Sequence, residues 1–189
     1  DASPEAGHPG TRTPSALSLS FSAGTYHAGD AGDFAITRTG DTPAQSWSLS
    51  PNGKYLLALG AGYAIRPWIS LDTNISGSLG DSDMTFICAS IGPRLMLPAS
   101  EGLSLHTKAC LTYGLFSLHG APGDFDPSLG WDFGYGITYT QSSWTFGLDL
   151  LYRNISFDYD APESVDVIAT SEKITLSGYA VSLSCAYRF

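Results

Sequence analysis

Five charged side chains fall where an alternating strand pattern places them among Gly, Ser and Thr: Asp72, Arg94, Lys108, Asp132 and Asp149. An isolated ion removed from water costs several kcal/mol, so charges in such a setting must be paired. They are read as an internal network of ion pairs and hydrogen bonds, with Arg66, Arg153 and Arg188 nearer the strand ends. The competing reading of the same residues is a narrow or gated ion path. His27, His106 and His119 are the candidate bases, and Ser104 shares the face of His106 two residues away. Nucleophilic catalysis needs a nucleophile and a base in mutual reach. His and Ser on one strand face are too common to mark an active site, so no catalytic residue is assigned.

Cys88 and Cys110 share that minor face on what read as neighbouring strands, equidistant from position 99, inside a turn-like stretch. They are a candidate disulfide; the alternative is two small buried thiols, and the mass with and without reductant separates the two. Cys185 lies on the opposite, apolar face. With no C-x-x-C spacing, neither a metal nor a cofactor is expected. Acids crowd the connections: Asp30, Asp33 and Asp41, then Asp124 and Asp126, then Asp158, Asp160, Glu163, Asp166 and Glu172. They read as a solvated anionic surface; the alternative is a divalent-cation site, for which no twelve-residue calcium loop is present.

The elements that must position these groups are strands. Residues 1–14 hold three Pro and two Gly without periodicity and read as a flexible tail. Alternation of period two then runs from 15 to the end. It predicts strands over 15–27, 54–66, 68–79, Ile87 to Leu97, 103–118, 129–140, from Trp144 onward, and 177–189. Between the first two, Asp33–Arg38 and Gln45–Leu49 form a candidate small hairpin. Turns are expected at Pro67, at Pro98–Gly102 and at Gln141–Ser143. Past Tyr152 the large residues change parity to Ile155, Phe157 and Tyr159, read either as a bulge or as the strand leaving the membrane.

Which face is large decides the surroundings. On each strand one face is bulky and apolar, as in Leu129, Trp131, Phe133, Tyr135, Ile137 and Tyr139; the other is Gly130, Asp132, Gly134, Gly136, Thr138 and Thr140. Only 14% of the 189 residues are charged, too few to solvate the outside of eight strands. An eight-stranded barrel has an interior just wide enough for side chains, so small residues fit inside and the bulky face looks out, into lipid. The expected fold is all-β, an eight-stranded antiparallel up-and-down transmembrane β-barrel. Aromatics then fall in two girdles, formed by Tyr55, Tyr63, Trp131, Tyr139, Trp144, Tyr152, Tyr179, Tyr187 and Phe189. The formal charge of −9 argues against a nucleic-acid partner.

The closing Tyr187-Arg188-Phe189, Gly92-Pro93-Arg94, and short turns alternating with longer loops resemble the small eight-stranded outer-membrane proteins typified by the OmpA transmembrane domain and OmpX. The resemblance covers about 15–189. It implies the outer membrane of a Gram-negative (diderm) bacterium, with the termini, tail and short turns periplasmic and the long loops outside. It implies insertion by the barrel assembly machinery, and contact with outer-membrane lipid and lipopolysaccharide. The expected role is structural or interactive, through the loops or tail, with a partner such as another subunit of an envelope complex. The alternatives are a small pore or hydrophobic-solute carrier and, less favoured, a lipid A-modifying enzyme.

Overall fold

The computed structural model describes residues 17–28, 35–38, 45–48, 54–79, 84–120, 122–161, 167–169 and 172–189. The tail over 1–14 and the acids Asp30, Asp33, Asp41, Glu163 and Asp166 lie outside the described residues. The strands are β1 (Leu17–Ala28), β2 (Ala35–Arg38), β3 (Gln45–Ser48), β4 (Lys54–Arg66), β5 (Ile69–Leu79), β6 (Met84–Ser100), β7 (Leu103–Leu118), β8 (Asp124–Phe125), β9 (Ser128–Gln141), β10 (Trp144–Asp160), β11 (Val167–Ala169) and β12 (Lys173–Arg188).

Eight long strands form one antiparallel ring in the order β12-β1-β4-β5-β6-β7-β9-β10, and β10 pairs β12 to close it. The seam runs from Ser18 opposite Arg188 to Ala28 opposite Gly178, so the ring leaves no open edge. Backbone partners traced from Trp144 pass through Tyr187, Leu19, Ala61, Thr73, Ile91, Leu111 and Trp131 and return to β10 at Asn154. The return lies ten residues up the strand, which is the shear of the barrel. With a rise of about 3.3 Å and a strand spacing of about 4.8 Å, that shear tilts the strands by roughly 40°, and each residue climbs about 2.5 Å along the axis.

The expected girdle residues occupy two levels. Tyr55 and Tyr63, Trp131 and Tyr139, Trp144 and Tyr152, Tyr179 and Tyr187 are each eight residues apart, about 20 Å of axis at that tilt. At one rim Trp144 packs on Tyr187 and Tyr187 on Phe189, with ring centroids 4.9 and 5.2 Å apart. At the other, Tyr152 packs on both Trp131 and Tyr179, at 5.4 and 5.0 Å. The residues between are exposed on the outside, among them Leu59, Ile75, Leu111, Tyr135 and Leu183. Such a belt is solvated by lipid and not by water.

Connections sort by end. At the turn end are Pro67–Trp68, Glu101–Gly102 and Ser142–Ser143. Gly102 has φ 73° and Ser142 φ 56°, the left-handed backbone that tight hairpins require. At the loop end β2 pairs with both β3 and β11, a three-stranded sheet that ties the first long loop to the last.

One expectation about strand ends is corrected. The turn after β6 is Glu101–Gly102 and not Pro98–Gly102: Pro98 stays in the ladder opposite Ser104, beside a bulge between Pro98 and Ser100. Of the two readings of β10 past Tyr152, the bulge is excluded. The strand runs in unbroken register with β12 from Trp144 opposite Tyr187 to Asp158 opposite Lys173. Leu151, Arg153, Ile155 and Phe157 keep the inward direction of Asp149 and are buried. The interior itself becomes apolar there.

Candidate functional site: the barrel lumen

The lumen has three levels. A cavity of about 460 Å³ occupies the turn-end half. Ser18, Ser20, Ser22, Ser70, Ser182 and Ser184 line it with Thr138, Thr140 and Thr145, and it reaches the turn-end residues Pro67, Pro98 and Arg188. Short side chains on the minor faces of β1, β9 and β12 leave this space open.

Charges cross the wall of the cavity as a belt. Arg94 Nε stands 2.8 Å from Asp72 Oδ2, and the Ser70 hydroxyl donates to Asp72 Oδ1 at 2.7 Å. On the far wall Asp149 gathers three neighbours. His106 Nε2 lies 2.8 Å from Oδ1, Lys108 Nζ lies 3.8 Å from Oδ1, and the Ser184 hydroxyl donates to Oδ2 at 2.8 Å. His106 and Asp149 are both backbone partners of Gly136 on β9. A Cβ on Gly136 would stand 2.7 Å from His106 Cε1, so the glycine lets the imidazole pass over β9 to reach the carboxylate.

Above the cavity lies a roof. Arg153, 2% exposed, donates from Nε and one terminal nitrogen to the two oxygens of Asp132, both at 2.8 Å. Its terminal nitrogens also reach the Ser76 hydroxyl at 3.3 Å. This bidentate fork is the strongest geometry that a carboxylate and a guanidinium form. Arg153 follows Tyr152 and Asp132 follows Trp131, so the pair sits level with the upper girdle. Above it the lumen is filled by Tyr26, Met84, Phe86, Phe116, Leu118, Ile155, Phe157, Ile174 and Leu176, all buried. Tyr26 packs edge-on to Phe86 at 5.4 Å, and Phe116 lies against Phe157 at 5.4 Å.

The structure therefore brings Asp72 to Arg94 and Lys108 to Asp149, and gives Asp132 to Arg153. Arg153 is not near a strand end, where the sequence reading put it, but at the centre of the roof. The tight turn at Ser142–Ser143 carries that signal, since the register it sets places Asp132 opposite Arg153. His106, weighed as a base, turns its Nε2 to Asp149, and among the described residues no serine or cysteine hydrogen-bonds its ring. His27 faces outward, 3.3 Å from Thr25 Oγ1, and His119 is exposed past the end of β7.

Of the two readings of Cys88 and Cys110, the structure has the pair of thiols and not the disulfide. Cys88 pairs with Gly114 and Cys110 with Asp132, and both thiols are free. Moving the turn from position 99 to Glu101–Gly102 slides the two cysteines four residues apart along the ladder, about 13 Å. A disulfide needs Cα atoms within about 7 Å. Among the described residues no group of three or more His, Cys, Asp or Glu is arranged to hold a metal.

No family model and no curated protein sequence matches the chain. Solved structures do. Outer membrane protein AlkL, determined in lipid bilayers, is similar at 17% identity and TM-score 0.61, over 100% of this chain and 96% of that one. OprG, an outer membrane protein of Pseudomonas aeruginosa, is 10% identical with TM-score 0.59, covering 93% and 97%. Neisserial surface protein A is 11% identical with TM-score 0.55, covering 94% and 100%. With that match of topology to the closed ring, its two girdles and its lipid-facing exterior, the chain has the fold of the small eight-stranded outer-membrane β-barrels.

Proposed function

We propose that this barrel resides in the outer membrane of a Gram-negative bacterium and serves a structural or interaction role, with its lumen closed to through-passage. The observation that carries this reading is the roof. The Arg153–Asp132 pair and the apolar layer above it fill the lumen at and beyond the upper girdle. A conducting path would have to cross both. What remains for contact among the described residues lies at the two ends: the loop-end sheet of β2, β3 and β11, and the short turns at the other. Termini and short turns face the periplasm in this reading and the loops face outward, toward lipopolysaccharide and an envelope or external partner.

Single-channel recording in planar bilayers tests the closed lumen. The expected record is flat, with no repeating step; steps of one defined size would overturn the reading in favour of a pore. The topology has its own check. In intact cells, a membrane-impermeant amine reagent labels Lys173, at the loop end, if the loops face outward.

A further inference from the structure

We infer that the turn-end cavity is a binding site for a compact oxyanion, a carboxylate or phosphate group on a small solute, gripped between Arg94 and Lys108. The two cations are direct cross-strand partners on β6 and β7, and both line the cavity. Like charges facing each other across a ladder repel; Asp72 offsets the Arg94 charge at close range, but neither cation has its donors used up. Arg94 Nε is 2.8 Å from Asp72 Oδ2 yet is buried without a hydrogen bond: the oxygen lies off the line of the N–H. Lys108 Nζ stands 3.8 Å from Asp149, beyond hydrogen-bond reach, because His106 and Ser184 already hold that carboxylate. Among the described residues, no acceptor hydrogen-bonds the terminal nitrogens of Arg94 or the Lys108 ammonium. Two cations thus offer donors to one cavity from adjacent positions.

Electrostatics and size agree. The whole chain carries −9, but the cavity wall carries three cations, Arg94, Lys108 and Arg188, against two carboxylates, Asp72 and Asp149. An anion repelled by the acidic loop end meets a locally positive wall at the turn end. A volume of about 460 Å³ falls within the range of small-molecule sites, and the serine and threonine lining supplies neutral hydroxyl partners. The closed roof makes this a dead-end pocket, so occupancy does not depend on transport.

The test uses the full chain in lipid nanodiscs with isotope-labelled Arg and Lys side chains. It is titrated with sodium phosphate, with sodium propionate, and with sodium chloride at matched ionic strength. The expected result is a saturable shift of the Arg94 and Lys108 signals with phosphate or propionate and no saturable shift with chloride. Which of the two oxyanions saturates identifies the ligand class. Affinity should fall about tenfold or more in Lys108→Gln, since a charge-assisted contact is lost, and be unchanged in Lys173→Gln. The pair Asp72→Asn with Arg94→Gln removes the site without stranding a carboxylate, and heat-modifiable gel mobility verifies its fold. Shifts that track ionic strength alone, or that persist unchanged in Lys108→Gln, overturn the proposal.

Discussion

The two halves of this barrel solve opposite problems with one set of strands. Below the upper girdle the outside is apolar and the inside polar: Leu148, Leu183 and Tyr135 face lipid while Asp149, Ser184 and Thr138 face the lumen. Above it the arrangement inverts. Phe86, Phe116, Phe157 and Leu176 are buried within, while Thr85, Ser117, Ser156 and Thr175 face outward. The inversion takes place on β10 within a few residues, from Leu150 and Tyr152 outside to Ile155 and Phe157 inside, with the register intact. The apolar face follows the solvent. Where the strands meet lipid, burial of apolar groups inside gains little over leaving them outside. About 12 Å beyond the girdle, at Phe157, the strands meet water, and ordinary hydrophobic packing returns.

Arg153 stands at the border between the halves, and its removal should have the largest effect. Arg153→Met leaves the Asp132 carboxylate buried without a partner, at a cost of about 3–5 kcal/mol. The companion variant carrying both Asp132→Leu and Arg153→Met should recover most of that loss, because the unpaired charge is gone. Equilibrium unfolding in urea, read by heat-modifiable mobility, measures both. A mild single variant would show that water reaches Asp132 and that the border is not dry. Phe157→Ala, wholly buried against Phe116, should cost a comparable 3–5 kcal/mol or so through cavity formation.

Much of the fold was legible in the sequence because period two and the size of the two faces are local signals. Eight strands, the girdles and the closing seam all follow from them. The upper half was not legible in the same way, because large residues face outward only where a strand meets lipid, and the period-two pattern does not mark where lipid ends. Ile155 and Phe157 break the outward parity, which the sequence alone leaves open between a bulge and a strand leaving the membrane; the unbroken register excludes the bulge. Within the lumen, contacts set by one hairpin were within reach: the turn at Ser142–Ser143 determines that Arg153 faces Asp132. By the same logic the turn at Glu101–Gly102, two residues beyond position 99, sets Cys88 opposite Gly114 and not Cys110. His106 to Asp149 crosses two ladders over Gly136, and no local pattern encodes a contact that depends on a missing side chain in between.

A charge scan along the outside of β12 sharpens the comparison at smaller magnitude. Leu183→Arg places a cation in the middle of the lipid belt and should cost about 2–4 kcal/mol. Thr175→Arg, on the same face but above Tyr179, should cost no more than about 1 kcal/mol. Folding into vesicles followed by denaturant titration gives both values. Equal penalties at the two positions would mean that lipid extends over the loop end and that the inversion has some cause other than water.

The smallest effect tests where the border lies on the outside. Tyr152 faces the interface, its hydroxyl paired with that of Ser177 across the β10–β12 ladder at 2.5 Å, and its ring rests on Trp131 and Tyr179. Tyr152→Phe keeps the ring packing and removes one hydroxyl, so the loss should be that of a single hydrogen bond, about 0.5–1.5 kcal/mol. At a wet interface water replaces the lost partner of Ser177, and the value should sit at the bottom of that range. In lipid the Ser177 hydroxyl would have no substitute partner, and the value should approach the top. Because Tyr152 immediately precedes Arg153, the measured loss places the outer water boundary within one residue of the inner roof.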